Sequence, residues 1–115
     1  MSVLTFPQAT TRTIWVRNMV DGNNAPLDVT GWAVLATATG PGPLSTVVEQ
    51  WSTSPTGNQG QATATGTSIS LAVPASMSAS WLIHYAMLDI SVTEPGPGGR
   101  TERFAPVGLI ITPAP

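Results

Sequence analysis

Hydrophobic and polar residues alternate along much of this chain, which is the pattern of β-strands with one buried face. The longest alternating segment is 81–93. One parity of that segment is almost entirely apolar and consists of Leu82, His84, Ala86, Leu88, Ile90 and Val92. The pattern predicts a central strand there, with these side chains directed into a core.

Glycine and proline divide the rest of the chain into segments that are too short for a helical bundle. The segments that alternate, and are predicted to be strands, are 10–19, 32–39, 44–51, 61–65, 67–73, 81–93 and 100–112. One short helical turn is predicted at 74–80, and 52–60 is expected to be an exposed loop. About seven strands at this spacing predict an all-β fold, specifically a single immunoglobulin-like β-sandwich.

The predicted faces and turns define the core we expect. In the first strand Ile14 and Val16 share one face, while Trp15 and Arg17 lie on the other face or at an edge. The expected core consists of Val16, Trp32, Val34, Leu71, Leu88, Ile90 and Ile110.

The length of 115 residues is that of one domain, which we place at 1–115. Proline near both ends predicts an extended N-terminal arm, 1–7, and an extended C-terminal arm, 112–115. Three residues of these arms are candidates for contacts with a neighbouring molecule: Phe6, Pro7 and Pro113.

Charged residues make up only 9% of the chain, far below the usual quarter of a soluble domain. We therefore expect partner proteins to cover much of the surface. A net charge of −2 with no basic run argues against nucleic acid as a partner. The first residues do not resemble a signal peptide, and no apolar run is long enough to cross a membrane, so neither export by that route nor membrane insertion is expected.

The sequence shows little that would support catalysis, and we expect no enzyme activity, no cofactor and no metal. Cysteine is absent. The single histidine, His84, is interpreted as a structural or rim residue, because no partner for it is evident. The acidic turn 21–24 lacks the spacing of a calcium loop and is interpreted as a hairpin turn in which Asx side chains bind the local backbone.

The four tryptophans are the strongest candidates for binding. Trp32 is expected in the core. Trp15, Trp51 and Trp81 are candidates for an interface, because exposed aromatic rings anchor protein contacts or stack on sugars. Burial in the core remains open for each of the three.

Several segments in order resemble a group of small immunoglobulin-like phage virion proteins. The similarity consists of Asp21-Gly22 followed by Pro26-Leu27-Asp28-Val29-Thr30-Gly31-Trp32, and later of a strand, a helical turn, a second strand and the turn 94–99. It covers nearly the whole chain.

The resemblance implies a virion structural protein without enzyme activity, made in the host cytoplasm. Because the chain ends after its last strand with no receptor-binding appendage, we expect a decoration or minor capsid protein at the capsid surface. Its partners would be the major capsid protein, other virion proteins and copies of itself, with a trimer as one option. The alternatives are a tail or baseplate adaptor of the same fold and a carbohydrate-binding module.

Overall fold

A computed structural model describes residues 3–40, 47–79, 81, 85–104 and 106–114 of the chain. The described residues form nine β-strands and one short α-helix. In chain order these are β1 (Val3–Pro7), β2 (Arg12–Val16), β3 (Ala33–Thr39), β4 (Val47–Ser52), β5 (Gly60–Thr65), β6 (Ser68–Val73), α1 (Ala75–Ser78), β7 (Tyr85–Thr93), β8 (Thr101–Arg103) and β9 (Val107–Thr112). The prediction of an all-β fold with one helical turn near 74–80 is confirmed.

The strands pair into one curled sheet in the order β1-β9-β7-β3-β4-β5-β6-β2, with β8 beside β7. The link between β4 and β5 is short, since only Trp51 and Ser52 pair across it, with Gly60 and Gln61. The curl folds the two halves of this path over a shared core, to which both contribute buried side chains. The division into the two sheets of an immunoglobulin-like sandwich stays a prediction.

Alternation along the strands fills the core largely as the sequence predicts. Ile14 is buried while its neighbour Trp15 is exposed. Ala86, Leu88, Ile90 and Val92 are buried on one parity of β7. Within the predicted core, Val34, Leu71, Leu88 and Ile90 are buried, Val16 and Trp32 are partly buried, and Ile110 is exposed.

The prediction for Ile110 is wrong because the last predicted strand is two strands whose registers differ by one residue. β8 places Arg103 opposite Ser91, whereas β9 places Val107 opposite Leu88. Since a shift of one residue exchanges the two faces of a strand, Leu109 and Ile111 point inward and Ile110 points outward.

The N-terminal segment is not the free arm that we predicted. Residues Val3–Pro7 form β1, which pairs in parallel with β9, so that Phe6 lies opposite Ile111 and both side chains are buried. Pro7 is compatible with this pairing because it is the last residue of the strand, and the next residue, Gln8, donates its backbone N–H to the carbonyl of Thr112. Beyond β9 the C-terminal residues Pro113 and Ala114 are exposed.

In the part of the chain that the structure describes, no helix has the length and apolar character needed to cross a membrane.

Candidate interaction surface

Three predicted interface residues, Phe6, Trp51 and Trp81, form an aromatic cluster in the core. The Phe6 and Trp81 rings lie 5.2 Å apart between centroids, and Trp81 meets Trp51 edge to face at 6.1 Å. All three side chains are almost completely enclosed. β1, β4 and the segment before β7 each contribute one ring, so the cluster joins parts of the chain that are distant in sequence.

Both buried indoles have hydrogen-bond partners inside the protein. The Trp51 Nε1 donates to the carbonyl of Ala72 in β6 at 2.9 Å, and the Trp81 Nε1 donates to the Glu49 Oε1 at 3.2 Å. The Gln8 side-chain amide donates to the carbonyl of Trp81. Since a buried polar group that has its partner is stable where it is, these rings are structural, and their prediction as surface contacts is wrong.

The same burial overturns one form of the carbohydrate-binding alternative. A stacking platform built from Trp15, Trp51 and Trp81 needs at least two exposed rings, and only Trp15 is exposed.

Trp15 is the one predicted interface tryptophan that the structure leaves accessible. It is 54% exposed and is the fourth of the five residues of β2, the strand at one end of the sheet order. Among the described residues no strand pairs with the outer edge of β2. The guanidinium of Arg17 lies 5.0 Å from the centre of the Trp15 ring, a cation–π distance that orients the ring without covering it from solvent.

Small residues surround Trp15 on the outer face of β2, β6 and β5. Ser70 lies opposite Trp15, and Thr63 lies opposite Ser70 on the next strand. Next to this row, Thr13 pairs with Ala72. The indole is therefore the largest side chain on a face made mainly of small residues, which is the geometry of an anchor that inserts into a pocket of another protein.

The structure does not bring the remaining candidates together with Trp15. Pro7 is partly buried at the end of β1, and Pro113 is exposed just beyond β9. β1 and β9 are neighbours at the opposite end of the sheet order from β2.

Residues 26–32 form a corner of the fold. Leu27 and Val29 are buried, and the backbone N–H of Val29 donates to the carbonyl of Gly66 in the turn between β5 and β6. The Thr30 Oγ1 accepts the Gly66 N–H at 2.7 Å. Gly31 has a φ of 81°, which a residue with a side chain adopts only with strain. These contacts thus fix the direction in which the chain enters β3.

The acidic turn behaves as a structural element, as we predicted. The Asp21 Oδ1 accepts backbone N–H groups from Asn23 and Ala25, and these bonds lower the pKa of Asp21, with Ala25 contributing most. Hydrogen bonds from the side chain and backbone of Thr30 lower the pKa of Asp28. Among the described residues no three acidic or histidine side chains converge as metal ligands would. His84 lies outside the described residues.

The structure also has an exposed surface that the sequence pattern did not lead us to predict. Leu35, Asp89, Arg103 and Phe104 line a shallow cavity of about 330 Å³ on the outer face of β3, β7 and β8. A signal for it was present, because 32–39 is apolar on both faces although one face of a strand is normally polar.

No protein-family model and no curated protein sequence matches this chain. Proposals about its function therefore depend on the fold and the two exposed surfaces described above.

Proposed function

We propose that this protein is a structural component of a phage particle that decorates the capsid surface and stabilises the shell through protein–protein contacts. The observation that carries the proposal is the exposed Trp15 on the unpaired edge strand β2. An edge strand offers free backbone donors and acceptors to a strand of another protein, and a large aromatic ring beside it adds a specific anchor. The partner is the major capsid protein or another virion protein.

The strand order supports an immunoglobulin-like sandwich, the fold of the virion proteins that the sequence resembles. β2, β6 and β5 follow one another as strands B, E and D do in that fold, and β9, β7 and β3 follow one another as G, F and C do. The short pairing between β4 and β5 then lies where the two sheets of the sandwich meet.

The low content of charged residues supports contacts that are made by apolar side chains and backbone hydrogen bonds. The four positive and six negative residues leave most of the surface neutral. Arg12 is the first residue of β2 and Arg17 directly follows the strand, so both ends of β2 are positive and fit a neutral or acidic groove between shell subunits.

The experiment is a count of copies per particle, combined with a variant at the proposed anchor. A decoration protein is present in numbers comparable to the shell protein, whereas a count near roughly six or twelve supports the tail or baseplate adaptor, since a tail tip has few equivalent positions. Absence from purified particles contradicts both proposals.

Trp15→Ala is expected to reduce the occupancy of the shell, because alanine removes the ring but leaves the strand in place. Val20→Ala is the matched control, since Val20 is also an exposed apolar residue but lies outside β2. Equal occupancy for Trp15→Ala and the unaltered protein would contradict a role for this surface.

A further inference from the structure

We call the outer face of β1, β9, β7, β8, β3 and β4 the large-sheet face. Val3, Leu35 and Ile110 are three of the large hydrophobic side chains exposed on the described part of the chain. Each alternates with inward-facing neighbours, such as Leu109 and Ile111 on either side of Ile110, and therefore points away from the core.

Only two charged side chains among the described residues point outward on the large-sheet face, and their signs are opposite. Asp89 lies on β7 two positions from Ser91, and Arg103 lies opposite Ser91 on β8. Both line the cavity of about 330 Å³ with Leu35 and Phe104. They form no ion pair with each other, since both ion pairs of the described residues belong to Arg100.

We propose that the large-sheet face binds a second copy of this chain around a two-fold axis, with Asp89 of each copy facing Arg103 of the other. A two-fold contact brings residue i against j and, equally, j against i. A face with one acid and one base beside its apolar residues is therefore complementary to itself. This inference does not depend on the proposed function, because it concerns a different face from the one that carries Trp15.

The area of the large-sheet face is sufficient for such a dimer. Because β8 and β9 pair with different parts of the same edge of β7, the face is five strands wide. Five strands about 4.8 Å apart and six residues long at about 3.3 Å each give roughly 500 Å² per copy, or about 1,000 Å² in total. That is near the lower limit for a specific interface. We therefore expect a dimer that dissociates on dilution.

The first test is sedimentation velocity of the full chain over a wide concentration range. Leu35→Asp places a charge in the apolar part of the face and is expected to give a monomer at every concentration. Trp15→Asp is the matched control, because it also replaces an exposed large apolar residue in a strand by aspartate, and it should leave the dimer intact. Circular dichroism shows whether each variant is folded.

The second test exchanges the charges. Asp89→Arg and Arg103→Asp each place like charges opposite one another across the two-fold axis, so each variant alone should be monomeric. The double variant restores opposite charges and should dimerise again. An equimolar mixture of the two single variants should form a heterodimer, since every acid then faces a base. This rescue cannot arise from a variant that has failed to fold.

Three results would overturn the proposal. One is a monomer at the highest soluble concentration of the unaltered protein. Another is a dimer or trimer that Leu35→Asp leaves unchanged, which would place the contact between copies elsewhere or leave this face to a different protein. The last is a dimer that the single charge reversals do not weaken, or that the double variant does not restore.

Discussion

The ring of Trp51 leaves no space for a side chain at Gly60, the first residue of β5. A Cβ at this position would lie 2.5 Å from the Trp51 Cδ1 and 2.8 Å from the Met77 Cε. The ring cannot easily move, because its Nε1 donates to the carbonyl of Ala72 in β6. The absence of a side chain at Gly60 is thus what allows the aromatic cluster to reach β5 and β6.

We expect Gly60→Ala to lower the free energy of unfolding by about 1–3 kcal/mol, the usual range for overpacking a filled core. Chemical denaturation measures the change. Gly22→Ala is the control, since no atom lies within 4 Å of a Cβ there, and it should change stability by less than about 0.5 kcal/mol. Similar values for the two variants would contradict the position of the Trp51 ring.

The turn aspartates are expected to make the stability depend on pH. Hydrogen bonds lower the pKa of Asp21 and Asp28 in the folded protein below the ordinary value of 3.8. Each carboxylate therefore contributes stability that is fully present above that value and is lost as the pH falls through the lower folded pKa. Melting temperatures measured from pH 7 to pH 2 should fall over this acidic range.

Replacing both aspartates tests that dependence. Asp21→Ala with Asp28→Ala should lower the melting temperature at pH 7, and the difference from the unaltered protein should shrink as the pH falls below 3.8. The double asparagine variant should lie between the two, because its side-chain oxygens still accept the backbone N–H groups without the charge. A difference that stays constant with pH would contradict this account.

For single residues, the sequence predicts burial and hydrogen bonding well when these are determined by neighbours along the chain. The opposite exposures of Ile14 and Trp15 follow from alternation alone, and the hydrogen bonds of Asp21 follow from turn chemistry. The burial of Trp51 and Trp81 does not, because Phe6 and Ala72, which contact them, are brought there by pairings that the local pattern does not specify.

The register of β9 is the element-scale feature that is tested most directly by substitution. Ile110 and Ile111 are adjacent and chemically identical, yet the first is 39% exposed and the second is buried. Ile111→Ala should cost about 2–5 kcal/mol of stability, whereas Ile110→Ala should cost less than about 1 kcal/mol. Equilibrium unfolding in urea measures both, and the reverse order would show that the register of β9 is one residue off.

Alternation along the chain predicts where the strands lie, but it does not predict which strands pair. Residues 32–39 and 61–65 were predicted within one residue of β3 and β5. The pairing of β1 with β9 was missed, because Pro7 suggested an extended arm, whereas a proline at the end of a strand is compatible with pairing. Proline near a chain end therefore does not by itself distinguish a free arm from an edge strand.

For the whole molecule, composition indicates the kind of surface but not its position. A chain with 9% charged residues was expected to have partners, and the sequence placed the candidate contacts at three tryptophans and the two arms. In the fold, Trp51, Trp81 and Phe6 are buried, whereas Leu35 and Ile110 are exposed. Which apolar residues remain at the surface depends on register and on the curl of the sheet.

Attachment to the capsid, as proposed, should resist salt, because the Trp15 surface contributes an aromatic ring and backbone groups more than charges. At 1 M salt, electrostatic attraction is screened beyond about 3 Å, while burial of an apolar ring is not weakened. The copy number per particle should therefore be unchanged after a wash at 1 M sodium chloride. Particles carrying Trp15→Ala should lose the protein in the same wash, whereas those carrying Val20→Ala should keep it. Release of the unaltered protein by salt alone would show that ion pairs hold it, and would identify Arg12 in β2 and Arg17 just after it as the candidate contacts with the shell.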